Sequence, residues 1–276
     1  MERYNQNLNS NYDPIYVNEQ ILPGHGNPIS IEKLNDYCKR AKNSICKIQY
    51  FGNGTGFFFQ QNIPNIQYYK KNFLMTNNHV LNDDFIKNNV ELLIEFKKKD
   101  RNISLNNRIK YTNQELDFTI IEILSEDPIF KEITFLKIDD YILNNGNESE
   151  YSKEDICIIQ FPQGKELAFD KGEIKSINDY TIEHLVSTDF GSSGSPILLL
   201  KNFKVIGIHN KRGIDKRYNK GIFMKNILYT INDINKIKLL IPPKIIDFTT
   251  TTFPYKNELT DINSNNKNNK NRIRQI

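Results

Sequence analysis

The stretch "TDFGSSGSPILLL", residues 188–200, decides how the chain is read. Small polar residues before an apolar run mark any chain reversal that leads into a strand. The alternative is that Gly191-Ser192-Ser193-Gly194-Ser195-Pro196 holds a reactive hydroxyl in a backbone cradle. That second reading needs partners elsewhere in the chain. A serine hydroxyl becomes a nucleophile only beside a base, the base needs an orienting group, and the developing oxyanion needs donors.

Four histidines make the search for a base short. His25 sits in the Pro/Gly-containing run "PGHGNP" and reads as an exposed loop residue, and His184 in "TIEHLVS" reads as an ordinary strand side chain. His79 differs, because "LMTNNHV" carries it out of an apolar strand into a turn, where an imidazole can face a cleft. Among carboxylates, Asp117 precedes the apolar strand "DFTIIEIL", while Asp83, Asp84, Asp139 and Asp140 stand in paired acidic turns that read as surface.

Around these residues lie many short apolar runs: "SICKIQYF", "GTGFFFQ", "NFLMTN", "VELLIEF", "ICIIQFP", "GEIKSI", "KVIGIH" and "GIFM" among them. Their length of four to eight residues and their Ile, Phe, Val and Tyr content predict strands, with no convincing amphipathic helix between them. The pattern is that of an all-β fold. The polar interval "NNGNESEYSKED", residues 144–155, divides the strands into two groups, which predicts two packed six-stranded antiparallel barrels. The expected organisation is a polar arm and short helix over 1–42, a first barrel over 43–145, and a second barrel with a closing helix over 146–240. A disordered polar tail is expected over 241–276, where the chain turns Thr-rich and then Asn/Lys-rich. The short helix is read from "SIEKLNDYCKRA" behind a Ser30 cap, and the closing one from Ile227, Ile231, Ile234 and Ile237.

The order His79, Asp117, Ser193, with the serine in G-x-S-G-x-P, resembles the chymotrypsin-fold (trypsin-like) serine peptidases. "GTGFFF" at 54–59 is similar to the Gly-containing strand that opens that fold. The closest likeness is to the glutamyl endopeptidase branch, through "LMTNNHV" and through "GSSGSP" followed by "VIGIH". The resemblance implies a serine endopeptidase in which Ser193 attacks the peptide carbonyl, His79 carries the proton and Asp117 orients the imidazole. It implies an oxyanion hole from the amides of Gly191 and Ser193, and a substrate pocket formed by Ser187, Thr188 and His209. Lys211 and Arg212 follow closely, and Glu or Gln is the expected side chain before the scissile bond. The chain departs from the family's propeptide-activated members at Ser192, where they carry Asp, so activation through a new amino terminus is not expected.

A rival reading from another class is a catalytically silent barrel pair acting as a protein-binding or scaffolding module. An esterase fits poorly, since its elbow is G-x-S-x-G and position 195 is serine. With 37 Lys plus Arg against 33 Asp plus Glu, the net charge of +4 gives no basis for a nucleic-acid or membrane partner. Protein or peptide substrates are the expected partners. The start "MERYNQNLNSNYDPIYV" lacks an apolar signal block, so a cytoplasmic or nuclear location is expected, with secretion by a non-standard route left open. Cys38, Cys46 and Cys157 form no CxxC pair and read as reduced thiols, and scattered His and Cys residues predict no metal site and no cofactor.

Overall fold

The computed structural model describes residues 28–240 apart from 51–52, 63–69, 145–147 and 214–216. The polar arm, His25 and the expected disordered tail therefore lie outside the described residues. Ser30 caps the helix α1 (Ile31–Ser44) by accepting from the Lys33 amide, as its sequence suggests. Tyr37 and Ala41 face inward from this helix, and the Tyr37 ring stacks on Phe203 at 4.4 Å.

The first sheet contains β1 (Ile45–Ile48), β2 (Gly54–Asn62), β3 (Lys70–Thr76), β4 (Glu91–Phe96), β5 (Lys99–Ser104), β6 (Lys110–Asn113), β7 (Phe118–Glu122) and β8 (Leu136–Lys137). Its order is β5-β4-β1-β2-β3-β7-β6, with β8 paired to β2 in parallel. The sheet is barrel-like but not closed, and it has eight strands where six were expected. The two additional polar strands explain the difference: β5 (KDRNIS) and β6 (KYTN) sit at the ends of the strand path. An edge strand is held by ladder hydrogen bonds on one side and needs no continuous apolar run. A short helix, α2 (Asp83–Asn88), follows the turn after β3.

After α3 (Asp140–Leu143), the second sheet contains β9 (Asp155–Gln160), β10 (Ala168–Asn178), β11 (Thr181–His184), β12 (Pro196–Leu199), β13 (Val205–Arg212) and β14 (Asn219–Phe223). These strands form a closed six-stranded barrel in the order β10-β11-β14-β13-β12-β9. Closure removes free strand edges, and the fully buried β12 and the inner part of β13 fill the interior. The helix α4 (Met224–Leu240) follows, with Ile227, Leu228 and Ile231 buried. The side chains of Ile234 and Ile237 lie outside the description. One compact unit spans residues 1–235; of the second, residues 236–276, the described part is the end of α4.

A continuous apolar core joins Phe57, Phe59, Phe73 and Met75 of the first sheet with Ile156, Ile158, Ile197, Leu198 and Ile208 of the second barrel. Its burial is the main driving force holding the two sheets face to face. Asp139 is buried rather than at the surface as its acidic pair suggests: it accepts from the Tyr151 hydroxyl at 2.7 Å and from Asn202. Of the cysteines, Cys46 and Cys157 are buried free thiols and Cys38 is exposed.

Candidate active site

Strand register brings His79 and Asp117 together. β3 and β7 pair antiparallel with Thr76 opposite Thr119, so the turn leaving β3 and the residue entering β7 emerge at the same end of the sheet. Asp117 holds His79 twice: Oδ1 accepts the His79 backbone amide at 2.9 Å, and Oδ2 lies 2.7 Å from Nδ1. Since a carboxylate oxygen only accepts, Nδ1 carries the proton and Nε2 is left as an acceptor. Asp117 adopts φ +46°, a left-handed conformation uncommon outside glycine. Its carbonyl accepts from the buried Asn77 side chain at 2.9 Å, which helps to hold that backbone in place.

Ser193 reaches the same cleft from the other barrel. A cavity of about 740 Å³ is lined by His79, Asp117, Ser193, Thr188, His209 and Asn210, with Phe190, Lys211 and Arg212 also on its wall. The Ser193 hydroxyl donates to the Asn210 carbonyl at 3.1 Å rather than to His79. Ser187 is not among the lining residues: its amide donates to Asp170 and its carbonyl accepts from Gln160.

The loop around Ser193 is shaped by hydrogen bonds on its carbonyls. Gly191 and Gly194 have φ of +88° and +89°, and a Cβ on Gly191 would lie 2.5 Å from the Phe161 carbonyl oxygen. Gln163 donates its backbone amide to the Phe190 carbonyl at 2.5 Å, and Ser195 donates to the Ser192 carbonyl at 3.1 Å. In a trans peptide the N–H points opposite to the C=O, so these contacts set the directions of the Gly191 and Ser193 amides. Among the described residues neither amide has an acceptor.

Asp189 braces this loop from outside. Its carboxylate accepts from Gln163 Nε2 at 2.8 Å and from the Phe190 amide at 2.7 Å. The Gln163 hydrogen bond, followed by that of Phe190, lowers its pKa, with Lys165 adding a small part. Ser192 is buried, and its hydroxyl accepts from the Asp189 amide at 3.1 Å. Gln163 and Asp189 were not singled out by sequence; the φ of +56° at Gln163 is a feature of structure alone.

His209 is 3% exposed on the cleft wall, and its Nδ1 lies 3.2 Å from Nε2 of the fully buried His184. Burial lowers the His184 pKa to about 4. Burial also carries His209 well below the usual histidine value, helped by the neighbouring His184 and His79 and opposed by a backbone hydrogen bond with Lys220. Both rings are therefore neutral at pH 7. His184 had the look of a plain strand side chain, but it is the inner partner of His209.

Two barrel-like sheets with a His–Asp pair on one and a glycine-bounded serine loop on the other define a chymotrypsin-like fold. The model of the trypsin-like peptidase domain matches residues 54–208, and the chain belongs to that family. A serine endoprotease from Yersinia pestis is similar in structure, with 14% identity over 76% of this chain and 68% of its own, at a TM-score of 0.54. The Rv3671c protease of M. tuberculosis in its inactive form is 16% identical over 76% of this chain and 98% of its own, at a TM-score of 0.52. Its active form gives 16% identity over 72% and 82% of the two chains, at a TM-score of 0.50. At such identities the likeness is one of fold. No curated protein sequence matches.

Proposed function

We propose that the protein is a serine endopeptidase in which His79, Asp117 and Ser193 act as a triad. The observation that carries this reading is the twofold grip of Asp117 on His79 in the cleft that Ser193 also lines. In this mechanism the Ser193 hydroxyl leaves the Asn210 carbonyl and donates instead to Nε2 of His79. The Ser193 oxygen then bonds to the substrate carbonyl carbon while its proton passes to Nε2. The carbonyl π pair moves onto oxygen, where the amides of Gly191 and Ser193 receive it, each worth roughly 3 kcal/mol of barrier. Collapse breaks the C–N bond, Nε2 returns the proton to the leaving amine, and an acyl-enzyme remains. Water then adds to the acyl carbon as its proton passes to His79; collapse breaks the bond to the Ser193 oxygen, which takes that proton back from His79, freeing the acid.

The pocket reads Glu or Gln before the scissile bond. Thr188 and His209 line the cleft beside Ser193, and the threonine hydroxyl can donate to a side chain ending in a carbonyl oxygen. Lys211 and Arg212 on the same wall favour Glu by attraction. This assignment agrees with the likeness of "LMTNNHV" and "GSSGSP" to the glutamyl endopeptidases.

Profiling cut sites on a peptide library tests activity and pocket together. Cleavage after Glu or Gln by the wild type, absent in Ser193→Ala, is expected. Enrichment of Leu or Arg before the cut would overturn the pocket assignment alone. No cleavage of any peptide would favour the silent binding module.

A further inference from the structure

Thr55 holds a position that its place in a short Gly-Thr-Gly run does not announce. It is fully buried on β2, at the junction of the two barrels, and uses its backbone and its side chain in four hydrogen bonds. The Thr55 amide donates to the Ser193 carbonyl at 2.8 Å. The hydroxyl donates to the Gly191 carbonyl at 2.8 Å and accepts from the Phe161 amide at 3.1 Å. The Thr55 carbonyl accepts from the Thr76 hydroxyl at 2.8 Å.

These contacts link three segments: the end of β3, the serine loop and the turn after β9. Thr76 ends β3, three residues before His79. Gly191 and Ser193 belong to the serine loop, and Phe161 follows β9 and opens the turn whose Gln163 amide holds the Phe190 carbonyl. The fit is tight: a Cβ on Gly194 would lie 2.1 Å from the Thr55 carbonyl oxygen and 2.3 Å from the Thr76 hydroxyl. Glycine at 194 thus lets the loop come down onto Thr55.

We propose that Thr55 is a positioning residue that sets the distance and orientation of the Ser193 loop against His79 across the barrel junction. The proposal rests on the peptidase reading given above. The base is fixed to the first sheet and the nucleophile to the second barrel, so their alignment is only as good as the contacts between the two. Displacement of reacting groups by about 1 Å is enough to lower a rate about a hundredfold. A hydroxyl that donates to one segment and accepts from another fixes both, which a hydrophobic side chain of equal size cannot do.

The test compares Thr55→Val, Thr55→Ala and Thr55→Ser with the wild type. Val keeps the shape and removes both hydroxyl bonds, Ala removes them without a new methyl group, and Ser restores them. For Val and Ala we expect kcat to fall about tenfold to a hundredfold, with KM within about twofold. The pH midpoint of kcat stays in place, since the His79–Asp117 contacts are untouched. Ser should recover most of the rate. A kcat near wild type in Val or Ala, a loss confined to KM or to Tm, or no recovery in Ser would overturn the proposal. If the wild type itself hydrolyses nothing, the peptidase reading fails separately, and amide hydrogen exchange over residues 188–196 still decides this one. Faster exchange in Val and Ala, with Ser like the wild type, supports the clamp; unchanged exchange refutes it.

Discussion

Acidification from pH 7.5 to 5 should weaken the folded state through the buried histidine pair. His184 is fully buried, and its pKa is lowered to about 4, while an exposed histidine in the unfolded chain titrates near 6.5. The folded value lies below the unfolded one, so the unfolded chain binds more protons as pH falls below about 6.5. Stability from this source is complete above about pH 7 and is lost progressively towards pH 4. The limiting slope is about 1.4 kcal/mol per pH unit for one group, so His184 alone removes about 2 kcal/mol by pH 5. His209 is depressed in the same direction, by burial first and then by the charges of His184 and His79, and it adds to the loss. Carboxylates contribute little at pH 5, because their unfolded values lie near 4. Urea unfolding by circular dichroism at half-unit pH intervals measures the effect. His184→Leu should be less stable at pH 7.5, since it strands Nδ1 of His209, yet should lose clearly less on acidification. Stability that stays constant between pH 7.5 and 5, or an unchanged slope in the variant, would refute the buried neutral pair.

Asp117→Asn keeps an oxygen for the His79 amide but no longer enforces the Nδ1–H tautomer; kcat should fall by about 10⁴ while the fold survives, as steady-state kinetics and circular dichroism would show. Gly194→Ala meets the Thr55 carbonyl at 2.1 Å from a left-handed backbone. The backbone conformation alone costs about 1–2 kcal/mol, so a lower urea midpoint and a large loss of rate are expected together. Asp127→Ala serves as a control at a residue that does not line the cleft. It strands Arg108, whose two hydrogen bonds to Asp127 are 2.8 Å long and almost fully buried. A loss of about 3–5 kcal/mol in unfolding free energy is expected, with KM unchanged at temperatures where the variant is folded.

Much of the candidate site is legible in sequence because each of its principal residues carries a local signature. Ser193 lies between glycines that adopt positive φ, and His79 and Asp117 stand at the ends of apolar strands whose register then joins them. The residues that organise the loop carry no such mark. Thr55 contacts Gly191 across 136 positions, and Gln163 contacts Asp189 across 26, so only the packing of one barrel on the other brings Thr55 to its partners. His184 alternates like any strand residue, and its pairing with His209 depends on the cross-barrel geometry of β11, β14 and β13. The strands with strong apolar content were readable for the same reason. β5 and β6 were not, because edge strands need little hydrophobic patterning, and with them went the open, eight-stranded form of the first sheet. Asp139 misled because a buried carboxylate satisfied by a tyrosine hydroxyl has the same sequence as an exposed one.

The central claim is that Ser193 becomes nucleophilic because His79 can take its proton. Incubating the folded wild type, Ser193→Ala and His79→Ala with a fluorophosphonate and locating the adduct by peptide mass mapping tests it most directly. A single phosphonylated site at Ser193 in the wild type, absent in the first variant and formed far more slowly in the second, is the predicted result. An unmodified wild type, or modification of Ser193 at the same rate without the imidazole, would contradict it.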